Sequence, residues 1–280
     1  MPYTAEISRA NPSCFLFLID QSKSMEDLVG SGESTKKKAD GLADIMNRLL
    51  RSLAITCTRN EGVPWDYFHV GVIGYGATVG PAFIGALAGK ELVPITEIAT
   101  MPARIEERTK KIEDGAGGLV DQIIKFPIWF DSIANGGTPM CQALTRAQGI
   151  LSAWLTQHPD CFPPIVINIT DGESTDGDPT SVANGLKSLA SNDGNVLLFN
   201  VHLSSQGDKP IEFPDNEVGL SDPFAQRLFR ISSLLPSYMR NFAQQEGIPV
   251  SDGTRGFAFN ADMVAVIRFL EIGTRPSNLR

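Results

Sequence analysis

Apolar residues fall along this chain in two alternating textures. Short continuous runs at 14–19, 68–75, 165–169, 196–201 and, more weakly, 256–259 have strand length, which predicts strands buried on both faces. Between them lie stretches with helical spacing at 37–54, 140–155, 179–190, 224–245 and 261–272; in the first, Leu42, Ile45, Met46, Leu49, Leu50 and Leu53 share one face. Strands alternating with helices predict βαβ units. The expected fold class is therefore α/β: a doubly wound, Rossmann-like, mostly parallel sheet flanked by helices, in one domain with a core over about 13–270.

The alternation breaks twice, at about 81–135 and 204–222, and both stretches are read as elaborations of that domain. The first holds a Lys/Arg/Glu-rich patch at 104–111, read as a solvated charged helix in preference to a partner surface. The uncharged stretch 70–89 contains two G-x-x-x-G spacings. Its glycines, Pro81, Tyr75 and Thr78 predict a strand and a Gly-rich turn, not a membrane span.

Composition narrows the function classes. The 280 residues are 42% hydrophobic and 20% charged, as in an ordinary globular protein. The formal net charge of −8 offers no general field for nucleic acid or an anionic membrane, and favours cationic partners or metal ions. Cys14, Cys57, Cys141 and Cys161 form no C-x-x-C pair and are read as reduced, mostly buried thiols. The N-terminus has no basic segment followed by an apolar one, so the expected location is cytoplasmic. His69, His158 and His202 lie in apolar or proline-flanked surroundings and are read as structural.

In an open parallel sheet, ligands bind beyond the carboxyl ends of the strands, so polar residues just after the buried runs matter most. Three places qualify. Asp20-Gln-Ser22-Lys-Ser24 follows the first run, Asn135-Gly-Gly-Thr138-Pro-Met140 is a Gly-rich turn opening a helix, and Thr170-Asp171-Gly-Glu-Ser174 follows the third run. Together they supply two carboxylates and three hydroxyls that a doubly wound sheet would bring to one edge. Oxygen-only ligands suit a hard divalent cation, Mg²⁺ or less selectively Mn²⁺ or Ca²⁺. No His or Cys stands in the ligand positions, which argues against zinc.

These residues resemble the von Willebrand factor A domain and its metal-ion-dependent adhesion site, built from a D-x-S-x-S loop, a Gly-Gly-Thr loop and an aspartate after a later core strand. The resemblance implies that Asp20, Ser22 and Ser24 are the first-loop ligands, Thr138 the second and Asp171 the third. It also implies that a partner's Glu or Asp carboxylate completes the ion's shell. More narrowly, the Gln-Ser-Lys-Ser-Met, Gly-Gly-Thr-Pro-Met and Asp-Gly-Glu-Ser-Thr-Asp-Gly-Asp stretches resemble bacterial cytoplasmic proteins of the TerY-like kind. That resemblance implies a serine/threonine kinase or a metal-dependent protein phosphatase as partner, in stress signalling or defence.

The same residues admit other readings. Ser22, Ser24 and Thr138 are each eligible helix N-caps. Glu173, Asp176 and Asp178 lack the spacing of a calcium loop and are read as solvated or supporting groups. A haloacid-dehalogenase-type phosphatase resembles D-x-D-x-[TV], but Ser22 holds the second acidic place. The glycines of 74–80 imitate a dinucleotide loop without opening a helix. The expectation is thus a metal-dependent protein-binding module and not an enzyme. The alternative is a metal-assisted phosphohydrolase, for which neither Ser22 nor Ser24 has a base beside it in sequence.

Overall fold

Phe15, Phe17 and Ile19 alternate with Cys14, Leu16 and Leu18, and both sets are buried, so the first strand needs apolar cover on both faces. The computed structural model, which describes residues 2–29, 35–58, 62–113, 118–203 and 209–274, supplies that cover. In chain order the first half contains β1 (Ser13–Asp20), α1 (Lys38–Thr56), β2 (Phe68–Tyr75), β3 (Val79–Pro81), β4 (Val93–Pro94), α2 (Ile95–Thr100), β5 (Arg104–Glu113) and β6 (Leu119–Ile128). The second half contains α3 (Met140–Gln157), β7 (Ile165–Thr170), α4 (Thr180–Ser188), β8 (Leu197–Leu203), β9 (Ile211–Glu212), α5 (Pro223–Ile231), α6 (Ser237–Gln245), β10 (Phe257–Ala261) and α7 (Met263–Gly273).

The main sheet runs β3-β2-β1-β7-β8-β10-β9. β2, β1, β7, β8 and β10 are mutually parallel, while β3 and β4 pair antiparallel with β2 and β9 pairs antiparallel with β10. One face packs against α1, α2, α6 and α7, the other against α3, α4 and α5. This is the doubly wound α/β architecture expected from the alternation. After β2 the chain returns to the far side of β1, so the strand order reverses between β1 and β7. A reversal of this kind opens a crevice at the carboxyl ends of the two strands.

A line of buried polar side chains crosses the sheet beneath that crevice. Tyr75 Oη donates to Asn168 Oδ1 (2.7 Å), Asn168 Nδ2 to Asn200 Oδ1 (3.0 Å), and Asn200 Nδ2 to Ser232 Oγ (2.9 Å), just past α5. Each amide is matched across the sheet, which is how buried polar groups are tolerated.

Two expectations are corrected. The periodic stretch 224–245 is two helices, α5 and α6. Pro236 disfavours helical backbone at Leu235, whose N–H bonds instead to Thr254 O at 2.8 Å. The charged stretch 104–111 is a strand of the hairpin β5–β6, not a helix. Ile105, Thr109, Val120, Ile123 and Ile124 are β-branched, and alternation along β6 buries Phe126 and Ile128 while Ile123 and Lys125 face solvent. The hairpin is pinned to α1 by Arg108, whose guanidinium lies 3.8 Å over the Phe126 ring and pairs with Asp44 at 2.7 Å.

Two further expectations are met by the described residues. The four cysteines are free, with Cys14, Cys57 and Cys161 buried. The glycines of 74–80 form the turn from β2 into β3. Among the described residues no helix is long and apolar enough to cross a membrane. The glycines at 115 and 117 and the residues 204–208 of the second elaboration lie outside the described residues.

Candidate metal centre

β1 ends in Asp20, β2 in Tyr75 and β7 in Thr170, so three loops leave the sheet side by side. Backbone bonds lace them together. Gln21 N donates to Tyr75 O (2.7 Å), Asn135 N to Gln21 O (2.7 Å), Lys23 N to Gly136 O (3.1 Å), and Thr175 N to Thr138 O (3.0 Å). Two glycines make the approach possible. A Cβ on Gly76 would lie 2.6 Å from both Asn135 O and Gln21 O; Gly136 has φ +79° and a Cβ there would lie 2.4 Å from Ala77 N.

The side chains continue the lacing. Asp20 Oδ1 accepts from Ser22 N (2.8 Å) and Oδ2 from Thr170 Oγ1 (2.7 Å). Ser22 Oγ and Ser24 Oγ are 2.9 Å apart, Ser24 Oγ donates to Asp171 Oδ1 (2.7 Å), and Lys38 Nζ donates to Asp171 Oδ2 (2.8 Å). A methyl built on Gly172 would stand 3.8 Å from Thr138 Oγ1 and 3.9 Å from Ser24 Oγ, which brings Thr138 close to the same group. All five sequence-nominated residues, Asp20, Ser22, Ser24, Thr138 and Asp171, therefore converge.

The capping alternative does not describe these hydroxyls. Ser22 precedes a short 3₁₀ turn but makes no side-chain cap bond, and the residue capping α3 is Pro139, not Thr138. Thr138 Oγ1 has no hydrogen-bond partner among the described residues. α3 is capped from another loop: Asp176 accepts from Cys141 N (3.0 Å) and Gln142 N (2.9 Å). Burial pushes the Asp176 carboxyl up, but these amides and the Ser174 hydroxyl outweigh it and hold it below its ordinary value.

Asp20 is in the opposite situation. Only 1% exposed, its carboxyl is pushed up to about 6 by burial, against the opposing hydrogen bonds of Ser22 and Thr170. Its charge adds to burial in raising Tyr75 well above the ordinary phenol value. A buried carboxylate that no cation contacts among the described residues, together with a threonine hydroxyl without a partner there, is a donor set suited to a hard cation. Among the described residues no three His, Cys, Asp or Glu side chains gather as a metal-binding group, so an ion here must also take hydroxyl oxygens.

Sequence reading missed Lys38, which lies in a run of three lysines where nothing local distinguishes it. Thr170 opens the third nominated loop, but its hydrogen bond to Asp20 was not foreseen. His202, on β8 beside Thr170, is buried against Phe259, its ring pushed down to about 4 by burial, and Nδ1 has no partner among the described residues.

No protein-family model and no curated protein matches the chain. Among solved structures, it is similar to a von Willebrand factor type A protein from Catenulispora acidiphila (15% identity, 79% of this chain and 36% of that one, TM-score 0.42). It is also similar to proximal thread matrix protein 1 from the mussel byssus (18% identity, 82% of this chain and 43% of that one, TM-score 0.44). A third is the manganese-loaded Plasmodium vivax TRAP protein (16% identity, 93% of this chain and 72% of that one, TM-score 0.44). The chain spans less than half the length of the first two. These likenesses concern the fold alone.

Proposed function

We propose that the carboxyl edge between β1 and β7 is a divalent-cation site through which the protein binds an acidic group of a protein partner. The observation that carries this reading is the convergence of Asp20, Ser22, Ser24, Thr138 and Asp171 from three separate loops at one edge of the sheet, with Asp20 buried and Thr138 Oγ1 without a partner among the described residues. These five side chains would hold Mg²⁺, or Mn²⁺ or Ca²⁺; the ion supplies Lewis acidity toward an incoming carboxylate. The protein's own part is positional. Ser22 N and Thr170 orient Asp20, the Ser22–Ser24 contact aims both hydroxyls, and the Thr138–Thr175 backbone bond sets the third loop.

The partner reading extends to a serine/threonine kinase or metal-dependent phosphatase in a bacterial signalling system, on the strength of the motif resemblance alone. The manganese named for the Plasmodium vivax protein is compatible with the ion choice. We further propose that the module is not itself an enzyme. Here the contact of Ser24 with Asp171 is the feature a phosphohydrolase reading would use, since it brings a carboxylate to a hydroxyl.

Titration calorimetry of Mg²⁺, Mn²⁺ and Ca²⁺ into chelator-treated protein is the test. Saturable binding that disappears in Asp20→Ala and Thr138→Ala is expected, together with partner capture that chelator abolishes. Absence of binding by the wild type overturns the metal reading. Turnover of a generic phosphoester that Asp20→Ala abolishes would replace the binding module with the hydrolase.

A further inference from the structure

Lys38 is the first residue of α1, yet its side chain is only 2% exposed and its Nζ lies 2.8 Å from Asp171 Oδ2, whose own side chain is fully buried. Its neighbours behave as surface lysines do: Lys36 and Lys37 are more than half exposed and meet Asp44 and Glu26 at 3.0 and 3.7 Å. A lysine is almost never fully buried unless paired. A cation at the first position of a helix also meets the positive end of the helix dipole. The pairing condition is met and the dipole preference overridden: the groups opposite Lys38 are Asp171 and, at 3.6 Å, the exposed Asp27.

Asp171 thus reaches the site with both oxygens engaged, one by the Ser24 hydroxyl and the other by an ammonium. We infer that Lys38 is a tethered counter-cation that holds the metal-free site together and weakens its affinity for a free divalent ion. The inference rests on the metal reading of the preceding subsection. Two carboxylates with one ammonium leave a single net negative charge to receive a doubly charged ion. The like charge of Lys38 acts from a side chain that is almost fully buried, where Coulomb repulsion is only partly screened. The loaded site then carries net positive charge, and the group that relieves it is an anion from outside. Lys38 thereby links ion retention to the presence of the partner's carboxylate, and linkage makes that coupling reciprocal.

The test titrates Mn²⁺ alone into chelator-treated wild type, K38M, K38Q, K38R and D20A, with thermal midpoints in chelator and in Mn²⁺. K38M removes the charge and keeps the apolar stem; K38Q keeps a donor for Asp171 without charge. Expected are at least tenfold tighter Mn²⁺ binding by K38M and K38Q, K38R within about threefold of wild type, and a larger Mn²⁺-induced rise in midpoint for the neutral variants. Wild-type or weaker affinity in K38M and K38Q, with binding still lost in D20A, overturns the role of Lys38 and leaves the metal reading standing. No binding by wild type or either neutral variant overturns both. If the neutral variants fold only when Mn²⁺ is present, the ion has replaced the ammonium and the inference holds; failure to fold even with Mn²⁺ overturns it.

Discussion

The carboxyl edge of the sheet and the hairpin β5–β6 are both polar additions to an apolar frame, and they are held in opposite ways. At the edge, every nominated side chain except Thr138 has a named polar partner, and backbone bonds tie each loop to the next. The hairpin satisfies its own backbone by a ten-residue ladder and grips the body through one face, with Phe126, Ile128 and Arg108. Its outer face leaves Ile105 and Ile123 exposed. The difference separates preorganisation from attachment. Buried polar groups must be matched, so the edge loops are fixed relative to one another, whereas the hairpin can loosen without disturbing them.

Perturbations of increasing gentleness should keep that separation. Asp20→Ala is expected to weaken Mn²⁺ binding more than a hundredfold, read by calorimetry, while hydrogen exchange in the hairpin stays at wild-type rates. Gly136→Ala forces a side chain into left-handed backbone and against Ala77, and should destabilise the fold by about 2–3 kcal/mol in chemical denaturation.

At the edge, pH gives a separate handle. The Asp20 carboxyl is raised from 3.8 to about 6, so between those values the folded protein keeps a proton that the unfolded chain has released. Metal-free protein should therefore lose stability as pH rises through this window. Because the ion competes with that proton, Mn²⁺ affinity should fall by about tenfold per pH unit below about 6. Thermal midpoints measured across the window with chelator and with Mn²⁺ check both signs. The smallest effect belongs to the hairpin: Arg108→Ala removes a partly exposed pin and should cost about 0.5–1 kcal/mol, speeding exchange in β5–β6 with no change in Mn²⁺ affinity.

The same contrast explains what could be read from the residues. The core strands declare themselves because burial on both faces demands unbroken apolar runs, and the aspartates and hydroxyls after them stand out against that background. Residues 104–111 mislead because charge is dense enough to mask the two-residue alternation; the partners that reveal it, Phe126 and Ile128, lie across the hairpin. The break at Ser232–Pro236 was marked by proline, but the apolar period runs through it. Lys38 was not legible at all. Three lysines in a row are equivalent until the start of α1 points one of them at a carboxylate 133 positions away.

The polar line from Tyr75 through Asn168 and Asn200 to Ser232 has a mechanical consequence. It passes over β1 and joins β2, β7 and β8 transversely, as a cross-brace does between rails. Sliding any of these strands by one residue would turn its buried amide or phenol to the opposite face, away from its partner. The sheet beneath the site is thereby braced against shear, and whatever motion accompanies ligand exchange is carried by the three loops and the start of α1.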